Sequence, residues 1–324
     1  MSIIQHPHYL APRQRLLEAF DRYRPGHVII IIGPSGVGKT TLRHSAMREA
    51  FGRPASWGVG RIPVVEAIAR LPSDGYFSSK ALAISLIDEL RAPRLQWLEE
   101  RPDRKHIAEI ADAQAWWDAH LGLRITEANA WRLLQRLLGA RHCKFVSIDQ
   151  ANGLLKDRAN KSPTDHMLHL MSFAEDAGIM LILTGVPEVV RLWLIHSELR
   201  RRVDVVWVPP YSEARNDDRQ NFATLIRSLA SRYALCDAKV LLGMDADLMA
   251  ASGGVIDELI RLLERAVSLA EAEKARRVTR QHLERCFYAD HDLEALWKDI
   301  RMFENAMKPG SVRERVRQIR EMWE

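Results

Sequence analysis

Residues 27–43 read HVIIIIGPSGVGKTTLR, and the order of features in that stretch decides the fold. HVIIII (27–32) is a short β-branched run, fit for a strand buried on both faces of a parallel sheet. Gly33–Thr40 then matches G-x-x-x-x-G-K-[ST] in full, and TTLRHSAMREAF continues as a helix that stops near Gly52. A strand before the glycines and a helix after them is the context that phosphate binding requires. Gly33, Pro34, Ser35, Gly36, Val37 and Gly38 form a loop whose backbone N–H groups face phosphate oxygens. The helix N-terminus adds a partial positive charge. Lys39 reaches the outer phosphates, the Thr40 hydroxyl is placed to ligate Mg²⁺, and Thr41 closes the cradle. The expected cofactors are ATP and Mg²⁺.

Outward from this loop, four more runs read as strands: 63–69, 144–149, 179–185 and 203–208. Helical patterns alternate with them. LLEAFDRY (16–23) precedes the first strand, SSKALAISLIDELR follows the second, and ITEANAWRLLQRLLGA carries Thr126 as a candidate N-cap. SPTDHMLHLMSFAEDAG has Ser162 as N-cap, Pro163 in the first turn and Asp165 three residues on. PEVVRLWLIHSELRR is expected to be a helix, and residues 93–124, charged and rich in Trp, a helix with loops. After PPYSE the β signals stop, and every later segment reads as helix. Five strands alternating with helices predict an α/β nucleotide-binding domain over 1–212 with a five-stranded parallel sheet. A helical lid domain with a C-terminal tail is expected over 213–324.

FVSIDQANGLL (145–155) holds the second half of the site. Asp149 ends a strand, and in P-loop proteins such an aspartate lies beside the loop and holds the Mg²⁺ shell. The next residue, Gln150, stands where a glutamate would polarise the attacking water. A glutamine can hydrogen-bond that water but cannot take its proton, and losing a general base costs roughly 10²–10⁴ in rate. Nucleotide binding with slow hydrolysis is therefore expected. Two origins stay open: a naturally slow hydrolase, or a substitution that traps the ATP state. Thr184 ends the fourth strand, either as a group that positions the water and senses the γ-phosphate or as a capping hydroxyl. Arg200, Arg201 and Arg202 precede the fifth strand. Arg201 or Arg202 is expected to reach a neighbouring subunit's γ-phosphate as an arginine finger, against the plain alternative of a solvated basic turn.

Composition narrows the class. The chain has 324 residues, 47% hydrophobic and 27% charged, with a formal net charge of +5. That is a globular composition, and the mild basic excess permits nucleic-acid binding without requiring it. The three cysteines, Cys143, Cys236 and Cys286, have no metal or redox spacing. No apolar run approaches the roughly 20 residues of a membrane span. With no basic-then-apolar leader at the N-terminus, the expected location is cytoplasmic.

GPSGVGKTT, FVSIDQANGLL, LILTGVPE, ELRRRV, ASGGVIDELIRLLERA and VTRQHLERCF follow one another in the order seen in AAA+ ATPases. More narrowly the chain resembles the TniB/TnsC group of transposition regulators, relatives of the phage protein MuB, over about residues 10–290. Two positions depart from the pattern. Gln150 replaces the glutamate, and Asp257 lies where many AAA+ proteins keep a lid arginine. The resemblance implies ATP bound at subunit interfaces and a homo-oligomeric ring or helical filament on double-stranded DNA. It further implies recruitment of a transposase, with hydrolysis dismantling the filament and, in some systems, a TniQ-type adaptor that selects the site. DNA contact through phosphates needs Lys and Arg facing an inner channel. Lys80, in the 71–80 loop, and Lys156, Arg158 and Lys161, in the 154–163 loop, are the candidates, with the basic stretch 101–106 as an alternative. Two other classes compete: a signalling or initiator-type switch acting on proteins, and a small-molecule P-loop kinase. The long helical C-terminal part and the triple arginine argue against the kinase.

Overall fold

The computed structural model describes residues 7–95, 97–98, 125–156, 162–194, 196–308 and 322. Arg158, Lys161, the basic stretch 101–106, most of the 93–124 segment and the C-terminal tail beyond 308 except 322 lie outside these residues. The chain opens with helix α1 (Pro7–Asp21), then β1 (Val28–Ile32), α2 (Lys39–Phe51), β2 (Val64–Ile68) and α3 (Ser79–Arg91). Next come α4 (Glu127–Ala140), β3 (Phe145–Asp149), α5 (Pro163–Asp176), β4 (Met180–Gly185), the short α6 (Ser197–Arg201) and β5 (Val203–Trp207). The rest is helical: α7 (Asn216–Ala230), α8 (Ala238–Leu242), α9 (Asp245–Ser252), α10 (Ile256–Ala272), α11 (Arg280–Glu284) and α12 (Asp290–Met307).

The five strands form one parallel sheet in the order β2-β3-β4-β1-β5. β1 is buried along its whole length, as its unbroken β-branched run requires. Helices cover both faces. On one face Leu82, Leu86, Trp131, Leu134, Leu170 and Phe173 pack against the strands. On the other, Leu16, Phe20, Leu42 and Met47 close over Ile29, Ile31 and Ile182. A third apolar cluster, built around Phe222, Leu225, Leu248, Leu259, Leu263 and Leu283, belongs to the C-terminal helices. α12 returns to the sheet: Phe303 is buried in the α/β core with its ring edge-on to Trp207 at 5.7 Å.

The helix ends follow local chemistry. Ser162 accepts the Asp165 N–H while Asp165 receives the Ser162 N–H, a complete capping box. Thr126 accepts from the Asn129 N–H at 3.3 Å, so α4 has its cap without the reciprocal bond. Two expectations change. The helix anticipated over 187–201 is a 3-10 turn (Pro187–Leu192) followed by the separate α6. The adjacent β-branched Val189 and Val190 crowd an α-helical turn. The first helix starts at Pro7 rather than near residue 16 and carries Pro12 inside it. Pro7 at the first position lacks only an N–H that would have no helical partner there, whereas Pro12, six positions in, removes the bond to the residue 8 carbonyl.

Candidate functional site

In an open parallel sheet, ligands bind beyond the carboxyl ends of the strands. The loop after β1, Asp149 at the end of β3 and Thr184 near the end of β4 all lie at that edge. They line one cleft of about 490 Å³ together with Ser35, Gly36, Gly38, Lys39, Thr40, Gln150, Asn152 and Asp257. Gly36 and Gly38 have φ of 73° and 91°, conformations in which a side chain is strained. A Cβ at Gly38 would also overlap the Tyr9 hydroxyl, which donates to Val37 O at 2.6 Å. The loop is thus held from α1. From the other side the Asp257 N–H of α10 donates to Gly36 O at 3.2 Å.

Lys39 folds back on the loop, donating to Gly33 O at 2.8 Å and Pro34 O at 2.6 Å. Burial pushes its ammonium down to about 8, and Asp149 offsets only part of this. Thr40 donates its hydroxyl to Asp149 Oδ2 at 3.0 Å. The two oxygens expected to hold Mg²⁺ are therefore adjacent at the mouth of the cleft, and this donor set fits a hard cation that takes its remaining ligands from phosphate and water. Among the described residues no group of three His, Cys, Asp or Glu forms a metal site of its own. Pro34 and Val37 are buried and Thr41 is exposed.

Gln150 is exposed, with φ 53° and ψ 43°, and its N–H donates to Asp149 Oδ1 at 2.7 Å. Thr184 is buried, and its hydroxyl accepts from Arg43 Nη1 at 2.8 Å. Sequence reasoning missed this arginine. Arg43 is 0% exposed and also bonds Asp149 Oδ2 at 3.0 Å and pairs with Glu66 of β2. His44 reaches both Glu66 oxygens at 2.9 and 3.1 Å. Burial alone raises the Glu66 carboxyl, but the His44 hydrogen bond and the Arg43 and His44 charges outweigh it and hold the group below its ordinary range. Two signals were present: an arginine one turn after the P-loop lysine, on the same helix face, and a lone charge inside the apolar strand VVEAI.

Arg201 and Arg202 lie at the opposite edge of the sheet, where Arg202 O accepts the Val28 N–H at the start of β1. They do not line their own cleft. Arg202 pairs within the chain to Glu175 and Glu198, whereas Arg201 is exposed. Lys80 is half-buried in the first turn of α3, and Lys156 is exposed. Their loops meet: the Phe77 N–H donates to Lys156 O at 2.8 Å.

Residues 22–193 match the sequence profile of a family described as AAA domain. No curated protein matches the chain. Among solved structures, the Walker-type ATPase of Pyrococcus abyssi superposes with a TM-score of 0.51 at 15% identity, over 91% of this chain and 89% of that one. The ORC2 protein of Aeropyrum pernix superposes with a TM-score of 0.55 at 15% identity, over 89% of this chain and 69% of that one. Cdc6p of Pyrobaculum aerophilum gives 0.54 at 14% identity, over 89% and 70%. At such identities the likeness is one of fold: the α/β core carries the AAA+ P-loop architecture. Among the described residues no helix is long and apolar enough to cross a membrane.

Proposed function

The chain belongs to the AAA domain family, and from that premise we propose an ATP-dependent, DNA-binding regulator of transposition of the TniB/TnsC type. It oligomerises on duplex target DNA as a ring or filament and recruits a transposase, with a TniQ-type adaptor as a further partner class. The observation that carries the reading is a juxtaposition. The cleft of Lys39, Thr40, Asp149 and Thr184 and the joined loops of Lys80 and Lys156 follow the carboxyl ends of strands in one sheet. Nucleotide state and a basic surface can therefore be coupled over a short distance. In support, the Aeropyrum ORC2 structure was obtained as ADPNP–ADP complexes.

In this reading the loop N–H groups and Lys39 bind the ATP phosphates, and Thr40 and Asp149 hold Mg²⁺, which neutralises charge on the phosphate oxygens. Thr184 and Gln150 orient the water. Gln150 accepts no proton from it, so turnover is slow. Arg201 or Arg202 completes a neighbour's site, its position far from its own cleft agreeing with action in trans. In the same reading the nucleotide-binding domain is 1–212 and the helical lid with its tail 213–324.

A DNA-binding isotherm with ATP and with ADP, at two salt concentrations, tests the proposal. ATP-dependent, cooperative and sequence-independent binding is expected, with a log–log salt slope of roughly −0.9 per phosphate contacted. Lys156→Ala should weaken binding evenly across sequences and reduce that slope by about one. Equal affinity with both nucleotides, or none with either, overturns the DNA reading in favour of a switch acting on proteins.

A further inference from the structure

Arg43 is an unusual residue to bury beneath a metal-binding aspartate. It lies four residues after Lys39 and three after Thr40, so all three share a face of α2. Its Nη1 holds Thr184 at 2.8 Å, while its Nη2 holds Asp149 Oδ2 at 3.0 Å and pairs with Glu66. Oδ2 is the same oxygen that accepts the Thr40 hydroxyl. The P-loop lysine is turned to the loop carbonyls of Gly33 and Pro34. The cation on the Asp149 carboxylate is therefore the guanidinium. Its Nε is buried without an acceptor, so the residue is not seated to satisfy all its own donors.

We propose that Arg43 is the resident counter-ion of Asp149, holding the unloaded carboxylate until a divalent cation takes its place. This rests on the reading of Thr40 and Asp149 as the metal-holding pair. Arg43 acts through Asp149 and is a positioning residue. When Oδ2 is given up to the cation, Nη1 remains on Thr184 and Nη2 on Glu66, so the buried charge keeps a partner. The partner it keeps belongs to β2, where Glu66 lies two residues before Ile68, the last residue of that strand. The Lys80 loop begins just beyond.

A counter-ion and a purely structural arginine predict opposite signs for metal affinity. Mn²⁺ is the probe, its free fraction counted by electron paramagnetic resonance on the full chain, with saturating ADP and again without nucleotide. Removing a unit charge in contact with the carboxylate in Arg43→Gln should tighten Mn²⁺ by about tenfold in both series. Arg43→Lys, which keeps the charge, should stay within about threefold of the unaltered protein. Mn²⁺ affinity that is unchanged or weaker in a folded Arg43→Gln protein overturns the proposal. If that variant does not fold, Arg43→Gln/Glu66→Gln replaces the ion pair with neutral amides. Tightening by about threefold is then expected, because the arginine is the nearer charge, and no tightening overturns the idea. ADP affinity in EDTA separates the two readings. An unaltered protein that binds no ADP sinks the nucleotide assignment, while the series without nucleotide still decides the counter-ion.

Discussion

Gln150→Glu is the substitution that bears most directly on what the cleft does. The residue is exposed at φ 53° and ψ 43°, one position beyond Asp149, and lines the cleft with Thr184. The change adds no heavy atom and leaves the backbone and its 2.7 Å bond to Asp149 Oδ1 in place. Its cost is repulsion between two carboxylates at a solvated edge, about 1 kcal/mol in high dielectric. Its gain is a proton acceptor, which contributes roughly 10²–10⁴ in rate where the geometry is complete. Because a neighbouring subunit is expected to supply the arginine, we set the expectation at about tenfold or more in kcat, or about 1.4 kcal/mol of barrier. Steady-state phosphate release at saturating MgATP, with and without duplex DNA, measures it. KM should stay within about threefold, since a general base acts only in the transition state. Gln150→Gly is the control. It relieves a left-handed conformation worth about 1 kcal/mol and should raise the melting temperature without speeding turnover. An unchanged or lower kcat in a Gln150→Glu protein that still binds nucleotide refutes the placement of residue 150 at the attacking water.

Other outcomes follow from the same geometry. Lys39 is held to about 8 by burial, so the free protein loses this charge above that pH. Nucleotide affinity should fall as pH rises past 8, by up to about tenfold per unit, and calorimetry in buffers of different ionisation heat should detect proton uptake on binding. The sign for stability is opposite: a folded value below the ordinary 10.5 destabilises the unliganded fold at neutral pH, and that cost is relieved between about 8 and 10.5. Lys39→Ala should abolish binding of a fluorescent ATP analogue at every pH. Asp257→Asn removes an acid from the phosphate cleft and should tighten ATP without Mg²⁺ by about threefold, a small effect because its side chain is 46% exposed. Arg202→Ala breaks two exposed ion pairs and should lower stability by at most about 1 kcal/mol. Arg201→Ala should leave the melting temperature unchanged and remove cooperativity on DNA, and retained cooperativity in both variants refutes the finger assignment.

The strands were legible because β-branched runs such as VIIII have no other compact use. The P-loop was legible because its chemistry lies within eight consecutive residues. The break inside 187–201 was not, since apolar spacing alone does not separate a 3-10 turn from an α-helix. α1 was read short because its apolar spacing becomes regular only from Leu16, while the helix itself runs from Pro7 through the internal Pro12. The Arg43–Glu66–His44 group was missed for a different reason. Its members lie on one helix and one strand about twenty residues apart, and only the fold brings Glu66, opposite Ser147 in the sheet, within reach of the Arg43 that also bonds Asp149. Tyr9 was missed likewise, since its partner Val37 is chosen by helix packing.

The grip on the P-loop from Tyr9 on one side and Asp257 on the other has a consequence for how the protein is made. About 220 residues separate Gly36 from the backbone amide that closes over it, and at roughly 5–20 residues per second the ribosome needs about ten to forty seconds to cover them. Throughout that interval the motif has left the exit tunnel without its roof. A nucleotide met then finds the loop with Tyr9 already made but without the Asp257 amide that closes its other side. The most local signature in the sequence is thus among the last parts of the molecule to reach its final shape.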